Sequence, residues 1–141
     1  SPQMMENFLK TYGQRLVAGG HQMQSLDYKV IQAVKAYDKK LLSAFILPFN
    51  SIYPDTVADG YTMEYTSLDQ GFTFKSWIRK KFVYAWTPND EEGMVQALQL
   101  QVDGIITDQL RELQETMKSF SDHQSYADLL FLQVRLLLLQ F

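Results

Sequence analysis

The chain has 141 residues, 46% hydrophobic and 21% charged, with seven glycines and four prolines, which is the profile of one ordinary globular domain rather than a disordered or fibrous chain. A formal net charge of −3 supplies no basic field for neutralising phosphates, so nucleic acid is not expected as a partner. With no cysteine there are no disulfides, thiolate zinc sites or cysteine nucleophiles.

Two kinds of segment then alternate. Residues 2–18 place Met5, Phe8, Leu9, Tyr12 and Leu16 at helical spacing behind Ser1-Pro2, which suit the N-cap and first-turn positions. This start has neither a basic cluster nor an apolar run, so any export or membrane address is expected outside the chain. Ala18-Gly19-Gly20 reads as a helix stop. Residues 21–27 predict a short strand, 28–40 a helix with Val30, Ile31, Val34 and Tyr37 on one face, and 41–49 a buried strand closed by Pro48 and Asn50. Residues 60–68 alternate as a strand, and 71–80 suit a helix whose solvated end is Arg79-Lys80-Lys81.

Strand 82–86 meets Thr87, read as a cap, with Pro88 at the first helical position and Asp90, Glu91 and Glu92 at the positive end of the helix dipole. Strand 102–107, a helix over 109–119 and a final helix from about residue 125 complete the pattern. The apolar tail, 129–141, is interrupted by Gln133, Arg135 and Gln140 and is shorter than the roughly 20 apolar residues a span needs, so it reads as a buried or interface helix.

Five strands with helical connections imply an α/β fold of parallel strands joined by right-handed crossovers. In such folds chemistry gathers at the carboxyl ends of the strands. The polar residues there are Ser25 and Asp27, Asn50, Glu64 with Thr66, Trp86 with Thr87, and Thr107 with Asp108. Asp27, Thr87 and Asp108 also read as ordinary helix caps. A cap does not explain Glu64 inside an alternating strand, and Trp86 reads equally as core. A metal held jointly by Glu64, Asp27 and Asp108 would have only carboxylates as a general base. His21 and His123 lie away from the strand ends and read as surface or capping residues.

Residues 82–109, FVYAWTPNDEEGMVQALQLQVDGIITDQ, resemble the end of a glycerophosphodiester phosphodiesterase domain. Trp86, Thr87 and Asn89 match a strand ending Trp-Thr-x-Asn, and Val102 through Asp108 match a Val-Asp-Gly-Ile-x-Thr-Asp strand. Residues 21–27 resemble the family's strand ending Ser-Leu/Phe-Asp, and 59–68 its later strand with an acid near the end. AFILPFN (44–50) and DHQSYADLL (122–130) resemble more narrowly the membrane-associated forms of lactic-acid bacteria and their relatives.

The resemblance implies a (β/α)8 barrel that hydrolyses glycerophosphodiesters to glycerol-3-phosphate and an alcohol. Such a barrel uses Ca²⁺ or Mg²⁺ on early-strand carboxylates and two histidines as acid and base. The His-Arg-Gly, Glu-x-Asp, His-Asp and Glu-x-Lys motifs of the first three strands do not occur here, and residues 1–13 resemble the helix after the third strand. The expectation is therefore an incomplete TIM barrel of about five parallel strands. Residues 1–120 would form the carboxyl-terminal part of a phosphodiesterase barrel and 121–141 an apolar helical extension.

Trp86, Glu64 and Ser25 are expected on the substrate side, while Asp27, Thr87, Thr107 and Asp108 brace the strand ends. No cofactor is expected on this chain, Ca²⁺ or Mg²⁺ belonging to the complete domain, and a glycerophosphodiester would bind only if the barrel is completed. The alternative is a non-catalytic module that forms a homo-oligomer through its open edges. No membrane span is expected; the location would be cytoplasmic, or membrane-associated through a segment outside this chain.

Overall fold

A computed structural model describes residues 1–50 and 52–122 of the chain. Helix α1 runs Pro2–Ala18, with Ser1 as its N-cap, and ends in Gly19 and a left-handed Gly20 (φ 65°). Strand β1 (Gln22–Ser25) leads to α2 (Tyr28–Tyr37), whose N-cap is Asp27. The helix stops before the expected residue 40 because Asp38 turns extended and its carboxylate accepts the Lys40 N–H at 2.8 Å.

Strand β2 (Leu42–Leu47) passes to β3 (Gly60–Glu64) through residues 48–59, a connection with no helix among the described residues. Strand β3 is shorter than expected: a 3-10 turn over Tyr65–Ser67 follows Glu64, and then α3 (Gln70–Ile78). Strand β4 (Phe82–Trp86), α4 (Glu91–Gln99), β5 (Gly104–Ile106) and α5 (Leu110–Asp122) complete the described chain. The tail helix expected from about residue 125, the apolar run 129–141 and His123 lie outside the described residues.

The five strands form one parallel sheet in the order β1-β2-β3-β4-β5, curled as part of a barrel. Side chains alternate between faces along each strand, so residues in register share a face. Phe45, Tyr61 and Val83 lie level with one another, as do Leu47, Met63, Ala85 and Ile105. These rows face the helices and form the main core with Leu68, Phe72 and Ala97.

The opposite, inner face begins with the pair Gln22–Leu42 and carries three longer rows. They are Gln24–Ala44–Gly60–Phe82, then Ile46–Thr62–Tyr84–Gly104, then Glu64–Trp86–Ile106 at the carboxyl end. Layering of this kind fills the interior of a (β/α)8 barrel. Phe82 and Tyr84 stack with ring centroids 4.6 Å apart, and their rings lie across Gly60 and Gly104. A Cβ at Gly60 would come within 2.3 Å of the Phe82 ring. On the inner face Thr62 donates to Gln24 Oε1 at 3.2 Å.

On the far side α1 packs Met5, Leu9 and Leu16 against Val34 of α2 and Leu41. Phe8 and Tyr12, expected on that packing face, instead point outward with Met4, their rings 5.1 Å apart. The helix is apolar on two sides, and only one of them meets α2.

Candidate functional site at the carboxyl ends of the strands

The row Glu64–Trp86–Ile106 ends the inner face, and beyond it the strands give way to turns. Glu64 is half-buried. Its Oε2 accepts the Thr66 N–H at 3.0 Å and also the Thr66 hydroxyl, so it is the N-cap of the 3-10 turn. A carboxylate that resists explanation as a cap in the sequence is one in the structure, since the strand ends at that residue. Trp86 stands beside Glu64 in register, and its buried indole Nε1–H finds no acceptor among the described residues.

Ser25 does not join them. It is level with Phe45 and Tyr61 on the helix-facing side, and its hydroxyl accepts the Asp27 N–H at 3.0 Å. Asp27 in turn accepts the Lys29 N–H at 2.9 Å as the cap of α2. Asn50 donates to Asp69 Oδ2 at 3.0 Å, tying the loop after β2 to the N-cap of α3.

At the end of β4 the expected cap is displaced. The Trp86–Thr87 peptide is cis, Pro88 is fully buried, and α4 starts only at Glu91 with Asp90 as N-cap, its Oδ1 accepting the Gly93 N–H at 2.8 Å. Three residues of turn therefore separate Thr87 from the helix it was expected to cap. Asn89 fills the gap between the last two strands. Its Oδ1 accepts from the Thr107 hydroxyl at 2.8 Å and from the Asp108 N–H at 3.0 Å, and its Nδ2 donates to Asp108 Oδ2 at 3.2 Å. Thr107 Oγ1 also accepts the Gln109 N–H at 3.0 Å, closing the turn that leads into α5. In the sequence only the Trp-Thr-x-Asn match marks Asn89; no local pattern marks a side chain whose partners are 18 and 19 residues away.

A hard divalent ion needs several converging oxygen ligands. Asp27, Glu64 and Asp108 are each bound into a separate turn, and among the described residues no three of His, Cys, Asp and Glu are grouped to hold a metal ion. The described residues do not fit a Ca²⁺ or Mg²⁺ site. His21 is exposed at the amino end of β1, away from this rim. Among the described residues no helix is long and apolar enough to cross a membrane.

No protein-family model and no curated protein matches the chain. Solved structures do. A glycerophosphodiester phosphodiesterase from Parabacteroides distasonis aligns over 86% of this chain and 54% of its own, with TM-score 0.73 and 15% identity. A protein from Silicibacter pomeroyi, assigned as a glycerophosphoryl diester phosphodiesterase, aligns over 84% of this chain and 44% of its own, with TM-score 0.74 and 14% identity. An Oleispira antarctica phosphodiesterase in complex with the product sn-glycerol-3-phosphate aligns over 70% and 42%, with TM-score 0.61 and 15% identity. The chain thus has the fold of part of a glycerophosphodiester phosphodiesterase barrel, and it spans about half the length of these proteins.

Proposed function

We propose that the chain is the carboxyl-terminal part of a glycerophosphodiester phosphodiesterase, inactive alone and competent only when further strands close the sheet. The observation that carries this reading is the row Glu64–Trp86–Ile106 at the carboxyl ends of an open parallel sheet whose fold those phosphodiesterases share. In this reading Trp86 and Glu64 line the glycerol or alcohol side of the pocket, while Ser25, Asp27, Thr87, Thr107 and Asp108 shape the turns at its rim. The sn-glycerol-3-phosphate bound to the Oleispira protein supports the product class. The divalent ion and the proton-transfer groups belong to the closing strands, and the parent reaction serves lipid and glycerol metabolism. The text of residues 44–50 and 122–130 favours a bacterial parent of the membrane-associated type found in lactic-acid bacteria.

The deciding experiment is release of glycerol-3-phosphate from glycerophosphocholine by the purified chain with Ca²⁺ or Mg²⁺. No turnover above buffer is expected. Metal-dependent turnover that Glu64→Gln abolishes would overturn the assignment of the chemistry to other strands.

A second reading, a non-catalytic module that self-associates through its edges, is favoured by where apolar surface is exposed. Met4, Phe8 and Tyr12 of α1, Leu42 of β2, Ile106 of β5, and Leu110 and Met117 of α5 are all exposed, and β1 and β5 are the edge strands of the sheet. Patches of that kind tend to be covered by a partner.

A further inference from the structure

We infer that Asn89 is a positioning residue that fixes the Trp86 end of β4 against the end of β5 and so sets the wall Glu64–Trp86–Ile106; the inference rests on the reading above only in taking that wall as part of the pocket. The β4–β5 ladder has its last rung at Trp86 and Ile106. Past it, among the described residues, no further backbone pairing joins the two strands. The Asn89 carboxamide takes over there. It offers an acceptor to Thr107 Oγ1 and Asp108 N and a donor to Asp108 Oδ2, the complementary pair of functions that a peptide group presents to a neighbouring strand.

Aspartate would set a carboxylate against Asp108, glutamine would carry its amide one methylene too far, and serine or alanine would leave the Asp108 N–H without this acceptor. The segment is also held from behind. Pro88 is buried against Gly93, where a Cβ would come 3.0 Å from Pro88 and 2.9 Å from the Tyr65 ring. Pro88 therefore anchors one side of the turn and Asn89 the other, with Trp86 two residues before Pro88. The Trp86 indole Nε1 is buried with no acceptor among the described residues, so loosening of the wall is read in its exchange with solvent.

The experiment follows the two indole N–H resonances of the chain, assigned with Trp86→Phe and Trp77→Phe. Asn89→Ala should speed exchange at Trp86 by about tenfold, the local opening expected from losing one net hydrogen bond, with Trp77 unchanged. Thr107→Val should act in the same direction, and Thr107→Ser should restore the wild-type rate. Asn89→Asp keeps the acceptor for Thr107 and the Asp108 N–H but sets a carboxylate against Asp108, so it should speed exchange at neutral pH by less than Asn89→Ala and recover in acid, once one of the two facing carboxyls takes up a proton.

If Asn89→Ala fails to fold, Thr107→Val and Asn89→Asp carry the test. Exchange at Trp86 that stays at the wild-type rate while the melting temperature drops would overturn the inference. Equal acceleration at Trp86 and Trp77 would do the same, since it reports general destabilisation. Turnover plays no part in this readout, so a negative result here leaves the phosphodiesterase reading standing, and the converse holds.

Discussion

Asp103 grips Val83 on both sides of that residue: its N–H donates to the Val83 carbonyl at 2.8 Å, while its Oδ2 accepts the Val83 N–H at 2.8 Å. Asp59 does the same to Ser43, at 2.9 Å and 2.8 Å. Each Asp precedes a glycine that begins a strand, Gly60 in β3 and Gly104 in β5, and each glycine lies under an aromatic ring from β4. The two Asp-Gly pairs are thus one device used twice. The carboxylate sets the register at the amino end of the strand, and the missing Cβ admits the ring that fills the inner face.

Removing the carboxylates should cost unequal amounts. Asp59 also pairs with Lys35 at 2.8 Å, the two side chains being 29% and 13% exposed, so Asp59→Ala removes the counter-charge of a largely buried ammonium, which keeps the Lys39 and Leu41 carbonyls, as well as the acceptor of an amide. The expected loss is about 2–3 kcal/mol for Asp59→Ala and about 1 kcal/mol for Asp103→Ala, whose side chain is exposed, measured by urea unfolding. Equal losses would show that the lysine adds nothing.

Gly60→Ala should destabilise by about 1–3 kcal/mol, because the new Cβ would lie 2.3 Å from the Phe82 ring. Trimming the ring relieves that clash. The double variant Gly60→Ala/Phe82→Leu should then lose less than the two single losses added together. Strict additivity in a double-mutant cycle would refute direct contact as the cause.

Tyr61 controls the alkaline limit. Burial first, and the adjacent Tyr53 phenol second, raise its hydroxyl well above the usual tyrosine range, and that hydroxyl donates to the Pro54 carbonyl. The folded chain therefore holds this proton to higher pH than the unfolded chain, whose tyrosines ionise near pH 10. Stability due to the neutral phenol is present below about pH 10 and lost as the pH rises beyond it. Thermal melts from pH 8 to 11 should fall more steeply for wild type than for Tyr61→Phe. Parallel curves would mean that Tyr61 ionises as readily in the folded state.

Self-association through the edges predicts a discrete dimer by sedimentation. Phe8→Glu or Met117→Glu should return it to monomer, whereas Ile78→Glu on α3, away from either edge and 57% exposed in the monomer, should not. A wild-type monomer at every concentration tested would end that reading.

Much of the fold was legible because the signals that write it are short-ranged. Helical spacing in residues 2–18 and 28–37, alternation in 60–64 and the caps Ser1 and Asp27 act within a few residues, and so the kind and order of the elements could be read directly. The resemblance of residues 82–109 added the barrel, and the curled parallel sheet agrees with it.

Only the tertiary structure decided what faces what. Ser25 and Glu64 look alike as polar strand ends, yet the register puts Ser25 level with Tyr61 beneath the helices and Glu64 level with Trp86 inside, because one step along a strand reverses the face. Asn89 and Asp108, like Asp59 and Ser43, are brought together by strand pairing across 19 and 16 residues. Such partners follow from burial of the whole sheet, and a local pattern of residues carries no record of them.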